Sequence, residues 1–155
     1  MPLEFQGSQQ GQGRSFAIVV ARYNESITGK LLQGALQTLQ AAGVDDQSIT
    51  IAWVPGAWEI PLAAQRLAHS RQFAAVLCLG AVIRGETTHD QHINRQVSLS
   101  LGQLSLDAGI PVAFGVLTCN SLEQAIHRSG GNVGNKGIEC ACAALEMVTL
   151  LEKLP

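Results

Sequence analysis

The chain has 155 residues, a length that closes one hydrophobic core without metal or disulfide staples. Charged residues make up 14% and hydrophobic ones 46%, against about 25% charged in ordinary globular domains, so an isolated chain would leave much apolar surface in water and burial between subunits is expected. A net charge of −2 without any Lys/Arg cluster argues against a nucleic-acid or anionic-membrane partner.

The opening MPLEFQGSQQGQGRS lacks a basic segment followed by an apolar one, and no later apolar run approaches a membrane span. The expectation is a cytosolic protein. Residues 6–13, rich in Gln, Gly and Ser, read as part of a flexible arm (1–14) before a single domain over 15–155. FAIVVA (16–21) is a continuous, β-branched apolar run, the pattern of a strand buried on both faces. ITIAWV (49–54), AAVLCLGAVI (74–83) and PVAFGVLT (111–118) read the same way.

Between the strands the period becomes helical. Ile27, Leu31, Ala35, Leu39 and Ala42 form one stripe, closed by Gly43. A second helix is predicted over Trp58 to Ser70, with Pro61 tolerated in its first turn. Ile93, Val97, Leu101 and Leu104 mark a third, closing near Gly109. SLEQAIHRSG gives a short helix ending at Gly130 and Gly131, and NKGIECACAALEMVTLLEK a last one. Strands and helices alternate four times, which implies a four-stranded parallel sheet with right-handed crossovers and helices on both faces, a three-layer α/β sandwich. Cys78, Cys119, Cys140 and Cys142 form no CxxC pair and sit in apolar segments; they read as buried, reduced thiols.

Ligands of such sheets bind beyond the carboxyl ends of the strands. There the sequence holds RYNES (22–26), PGAWE (55–59) and RGETTH (84–89). Only seven aromatic residues occur in the chain, and Tyr23 and Trp58 stand at two of these junctions, which predicts a pocket with a stacking wall. Taken singly, Asn24 and Ser26 are also ordinary helix caps, Pro55-Gly56 an ordinary turn and Trp58 an ordinary core residue.

In GETTHDQH (85–92), Gly85 admits close backbone approach, and the N–H groups of Glu86, Thr87 and Thr88 open the third helix, a setting for an anion. His89 falls in the first turn and, by its spacing to Ile93 and Val97, on the inward face. The positive end of the helix disfavours an imidazolium there, which suits the ring as a proton acceptor. A metal held by His89 and His92 is a weak alternative, since Asp90 points elsewhere and no second cluster completes the coordination; Asp90 instead favours the helix dipole. GGNVGNKG (130–137) is not a Walker loop, because Gly137 follows Lys136. Arg128 and Lys136 still supply two cations beside a glycine-rich bend.

RYNESITGKL, VPGAWEIP, LGAVIRGETTHDQH, PVAFGVLT, EQAIHRSGGNVGNKG and ALEM stand in the order and at the separations found in the 6,7-dimethyl-8-ribityllumazine synthase family. The chain resembles that family from about Phe16 to Glu152. The resemblance implies a flavodoxin-like fold and a cofactor-free, metal-free condensation in riboflavin biosynthesis. The two small-molecule substrates are 5-amino-6-ribitylaminouracil and 3,4-dihydroxy-2-butanone 4-phosphate.

It also implies roles. Tyr23 stacks on the pyrimidine beside Asn24, while Ala57, Trp58 and Glu59 line the ribityl chain. Ala81, Val82 and Ile83 meet the pyrimidine through the backbone. Gly85, Glu86 and Thr87 bind the phosphate with Arg128 as clamp and Lys136 nearby. His89 transfers the proton, and Phe114 is an aromatic wall from the adjacent subunit. Family members form homo-oligomers, pentamers or sixty-subunit shells, with sites between adjacent subunits, and the GGNVGNKG bend lacks the insertion of pentamer-only relatives, which favours the shell.

Two departures stand out: Tyr23 replaces a common phenylalanine, and Asp90, Gln91 and His92 replace an aromatic-acidic-Tyr run. A non-catalytic flavin- or lumazine-binding shell protein and an archaeal-type riboflavin synthase are the rival expectations.

Overall fold

The computed structural model describes residues 1–155 apart from Asn132, which belongs to the GGNVGNKG bend. Strands β1 (Phe16–Ala21), β2 (Ile49–Val54), β3 (Ala75–Ile83) and β4 (Val112–Cys119) form one sheet in the order β2-β1-β3-β4. Every pairing in it is parallel. Helices α1 (Glu25–Ala41), α2 (Ile60–His69) and α3 (His89–Ala108) make the crossovers, and α4 (Leu122–His127) and α5 (Lys136–Leu151) follow the last strand. The expected three-layer sandwich and flavodoxin-like sheet are present.

Alternation along the buried strands divides the core in two. Phe16, Ile18 and Val20 of β1 pack with Leu77 and Leu79 of β3 under Leu31 and Leu39 of α1 and Leu145 of α5. The intervening Ala17, Val19 and Ala21 face the opposite way, with Val76 and Cys78, under Ile60 and Ala64 of α2 and Val97 and Leu101 of α3. Both strand faces are therefore covered, which is why β1 and β3 read as unbroken apolar runs rather than alternating ones. Truncating a fully buried leucine such as Leu31 or Leu145 to alanine would cost about 2–5 kcal/mol.

Several boundaries differ from those the periodicity predicts. Trp58 does not open α2; Ala57–Glu59 form a separate 3-10 turn, with the Glu59 N–H bonded to the Gly56 carbonyl at 3.2 Å, and α2 begins at Ile60. The third helix begins at His89 with Thr88 as its cap residue, so the Glu86 and Thr87 amides precede it rather than lie within it. After α4, the chain forms an unpredicted antiparallel ribbon, β5 (Ser129–Gly131) against β6 (Gly134–Asn135).

The segment read as a flexible arm lies beside α5. The Ser8 N–H donates to Thr149 Oγ1 at 2.7 Å, Lys153 Nζ donates to the Gln6 carbonyl at 2.7 Å, and Arg14 donates to both carboxylate oxygens of Glu152 at 2.8 and 2.6 Å.

Candidate active site

The three junctions named from the sequence meet at the carboxyl edge of the sheet. The ladder between β1 and β2 continues past both strands: Arg22 N–H donates to the Val54 carbonyl at 2.8 Å and Tyr23 N–H to the Pro55 carbonyl at 2.9 Å. This holds Tyr23 against Gly56. A Cβ at Gly56 would stand 2.6 Å from Tyr23 Cδ2 and 3.0 Å from Cε2, so the ring rests where only glycine leaves room. Tyr23 is itself 71% exposed. Arg22 turns outward, its guanidinium 5.0 Å from the centre of the Trp53 ring, a cation–π arrangement.

Asn24 takes the left-handed conformation, φ 63° and ψ 46°, which asparagine tolerates better than most residues. Its carbonyl accepts the Ile27 and Thr28 N–H groups that start α1. Its side chain does not cap the helix; Nδ2 donates instead to the Ala81 carbonyl at 3.0 Å, joining the β1 turn to β3. Nearby, Ala57, Ala81 and Val82 are buried, Glu59 and Ile83 half-buried, and Trp58 exposed. Gly85, Glu86, Thr87 and His89 are exposed, and the His89 N–H donates to Thr87 Oγ1 at 3.3 Å.

The inward placement expected of His89 requires correction. Along its stripe Leu101 and Val97 are buried, Ile93 is half-buried and His89 is exposed. The first turn of α3 is mostly exposed in the protomer, with Asp90 alone half-buried among residues 89–92. Asp90 does not simply point away either: its Oδ1 is buried without a hydrogen-bond partner, as is Asn94 Oδ1 one turn later. Such an acceptor is costly until a donor reaches it.

Phe114, Arg128 and Lys136 come together at a different place. They line a cavity of about 350 Å³ beside the free edge of β4, with Val133 and Glu139 on its wall. Arg128 follows α4, Lys136 opens α5, and the Lys136 N–H donates to the Arg128 carbonyl at 2.9 Å. Glu139 was not singled out from the sequence; its place one turn after Lys136 is the signal that could have found it. The ribbon had a signal too, the glycines of GGNVGNKG, of which Gly130 in β5 and Gly134 in β6 both have positive φ. The cavity's walls contain no strand-end residue among those at positions 22–24, 55–59 or 84–89. A larger groove of about 630 Å³ between α2 and α3 holds none of the expected site residues.

Burial favours the neutral thiol at three of the cysteines. Burial pushes Cys140 up to about 12, against a hydrogen bond with the Cys78 backbone and the charge of Lys136. Burial likewise raises Cys119, with the Arg128 charge opposing it. Burial raises Cys78 as well. Among the described residues, no three His, Cys, Asp or Glu side chains gather in positions to hold a metal ion, and no helix is long and apolar enough to cross a membrane.

Set beside known proteins, residues 13–152 match the family model described as 6,7-dimethyl-8-ribityllumazine synthase. The match takes in both clusters and nearly the whole chain, and it does not favour a non-catalytic shell protein or a riboflavin synthase. Membership implies two small-molecule substrates and a homo-oligomer. The chain belongs to the 6,7-dimethyl-8-ribityllumazine synthase family, the transferases that make this lumazine in riboflavin biosynthesis.

Proposed function

We propose that each active site is assembled from two protomers, one supplying the strand-end cluster and its neighbour the Phe114 cavity. The observation that carries this is the position of Phe114. It lies five residues before the end of β4, roughly 16 Å below the carboxyl edge at about 3.3 Å per residue, and opens sideways at 40% exposure. It cannot face Tyr23 of its own chain, on the far side of β3. Exposed apolar side chains such as Leu62 at 74% support burial between copies.

In this reading the planar aminouracil stacks on the Tyr23 ring, beside Asn24 and the backbone of Ala81, Val82 and Ile83. The ribityl chain runs along Ala57, Trp58 and Glu59. The phosphate of the second substrate meets the amides of Gly85, Glu86 and Thr87 on one side and the cations Arg128 and Lys136 on the other. The 5-amino group attacks the ketone and water leaves as the imine forms. His89, exposed at the start of α3, takes a carbon-bound proton so that phosphate departs. The ribitylamino nitrogen then closes the ring on the new carbonyl, with loss of water. Holding the two substrates together supplies most of the acceleration and proton transfer a smaller share, about a hundredfold or more.

The assembly is a pentamer or a sixty-subunit shell, the shell favoured by the short GGNVGNKG bend. Four free cysteines support a reducing, cytoplasmic setting. Intersubunit complementation tests the shared site. His89→Ala and Phe114→Ala chains, each slow alone, should regain lumazine fluorescence when co-assembled with both substrates present. Mixed assemblies no faster than the separate variants would place the whole site within one chain. Light scattering reads the assembly size.

A further inference from the structure

Asn135 stands where α5, α1 and the β5–β6 ribbon meet. Its Oδ1 accepts the N–H groups of Gly137 at 2.8 Å and Ile138 at 3.2 Å, capping α5. Its Nδ2 donates to the Lys30 carbonyl in α1, 105 positions away in the chain, at 3.1 Å. The fit depends on two glycines. A Cβ at Gly34 would stand 2.6 Å from Asn135 Oδ1, and one at Gly137 would collide with the Leu31 carbonyl oxygen. Asn135 also pairs with Ser129 across the ribbon. On either side of this pair are Arg128 and Lys136, joined by the backbone bond at 2.9 Å.

We propose that Asn135 is a positioning residue for the phosphate-bearing substrate: by fixing the start of α5 against α1 it sets the spacing of Arg128 and Lys136 across their shared cavity. The inference rests on the reading of those two cations as phosphate ligands. The chemistry favours an amide, because the position needs an acceptor for two N–H groups and a donor for a helix carbonyl at once. Serine keeps a capping oxygen but is too short to keep the reach to Lys30.

The test is steady-state kinetics of the assembled enzyme with each substrate varied in turn, plus competitive inhibition by inorganic phosphate. In Asn135→Ser and Asn135→Ala, the KM for the phosphate-bearing substrate and the inhibition constant for phosphate should both rise about tenfold, with the KM for the aminouracil within about twofold of wild type. A merely structural role would not separate the substrates, so equal changes in both KM values, or none, overturn the proposal. Asn135→Ser retains the cap and should assemble normally; failure of both variants to assemble makes Asn135 a folding residue and overturns it as well. Arg128→Ala is the control. If it leaves the phosphate constants unchanged, the reading of the site fails; if it raises them while Asn135→Ser does not, only the positioning role fails.

Discussion

Asn24 Nδ2 donates to the carbonyl of Ala81 at 3.0 Å, tying the left-handed turn after β1 to the last residues of β3. Two contributions can be separated here. Asn24→Gly keeps access to the left-handed conformation and loses only the hydrogen bond, about 1 kcal/mol. Asn24→Ala loses the bond and adds about 1–2 kcal/mol of backbone strain. Thermal midpoints should therefore fall in the order wild type, Asn24→Gly, Asn24→Ala. An alanine variant as stable as the glycine one would show that the turn carries no conformational demand.

Gly56 is predicted to control the stacking face rather than the fold. A methyl group there meets the Tyr23 ring at 2.6 Å, and the exposed ring swings aside at little cost. Gly56→Ala should shift stability by no more than about 0.5 kcal/mol. It should weaken use of the aminouracil by up to about tenfold, the size of an aromatic stacking contact. In a Tyr23→Ala background the same substitution should have almost no further effect on that KM, because the ring it displaces is gone.

His89→Ala should separate chemistry from binding. The side chain is exposed in the protomer, so its loss leaves the core intact, and the thermal midpoint should stay near that of wild type. Turnover should fall about a hundredfold or more while both KM values change little. Full turnover in this variant would remove His89 from proton transfer.

The pairing of Arg14 with Glu152 gives an acid-sensitive clasp between the segment before β1 and the end of α5. The Arg14 hydrogen bond holds the Glu152 carboxyl below its usual range against the opposing effect of burial, with smaller help from the charges of Arg14 and Lys153. A carboxyl depressed in the folded state stabilises the fold above its unfolded pKa, about 4.3. That contribution is lost as pH falls through the lower folded value. Wild type should thus exceed Glu152→Gln in thermal midpoint near neutrality, with the gap closing below about pH 4. Added salt should narrow it, because the pair is partly exposed.

Much of this was legible in the sequence because it is local. Apolar runs such as FAIVVA mark strands covered on both faces, the stripe through Ile27, Leu31 and Leu39 marks a helix over them, and their alternation leaves few parallel topologies. The residues that follow each strand were found by the same rule, since in a parallel sheet all carboxyl ends share one edge. Trp58 was misassigned to α2 because helical periodicity does not register a 3-10 turn held by bonds to the Gly56 and Ala57 carbonyls.

Sequence alone determined the layers of this protein and its strand-end residues, for these follow from spacing within single elements, and its motifs, in their order along the chain, carried the resemblance to the family. The tertiary structure alone decided that His89 is exposed in the protomer, that Phe114 shares a cavity with Arg128 and Lys136, and that Asn135 reaches α1. Those relations depend on where one packed layer ends and how closely two helices approach. Both are set by side chains far apart in the chain, which leave no periodic trace along it.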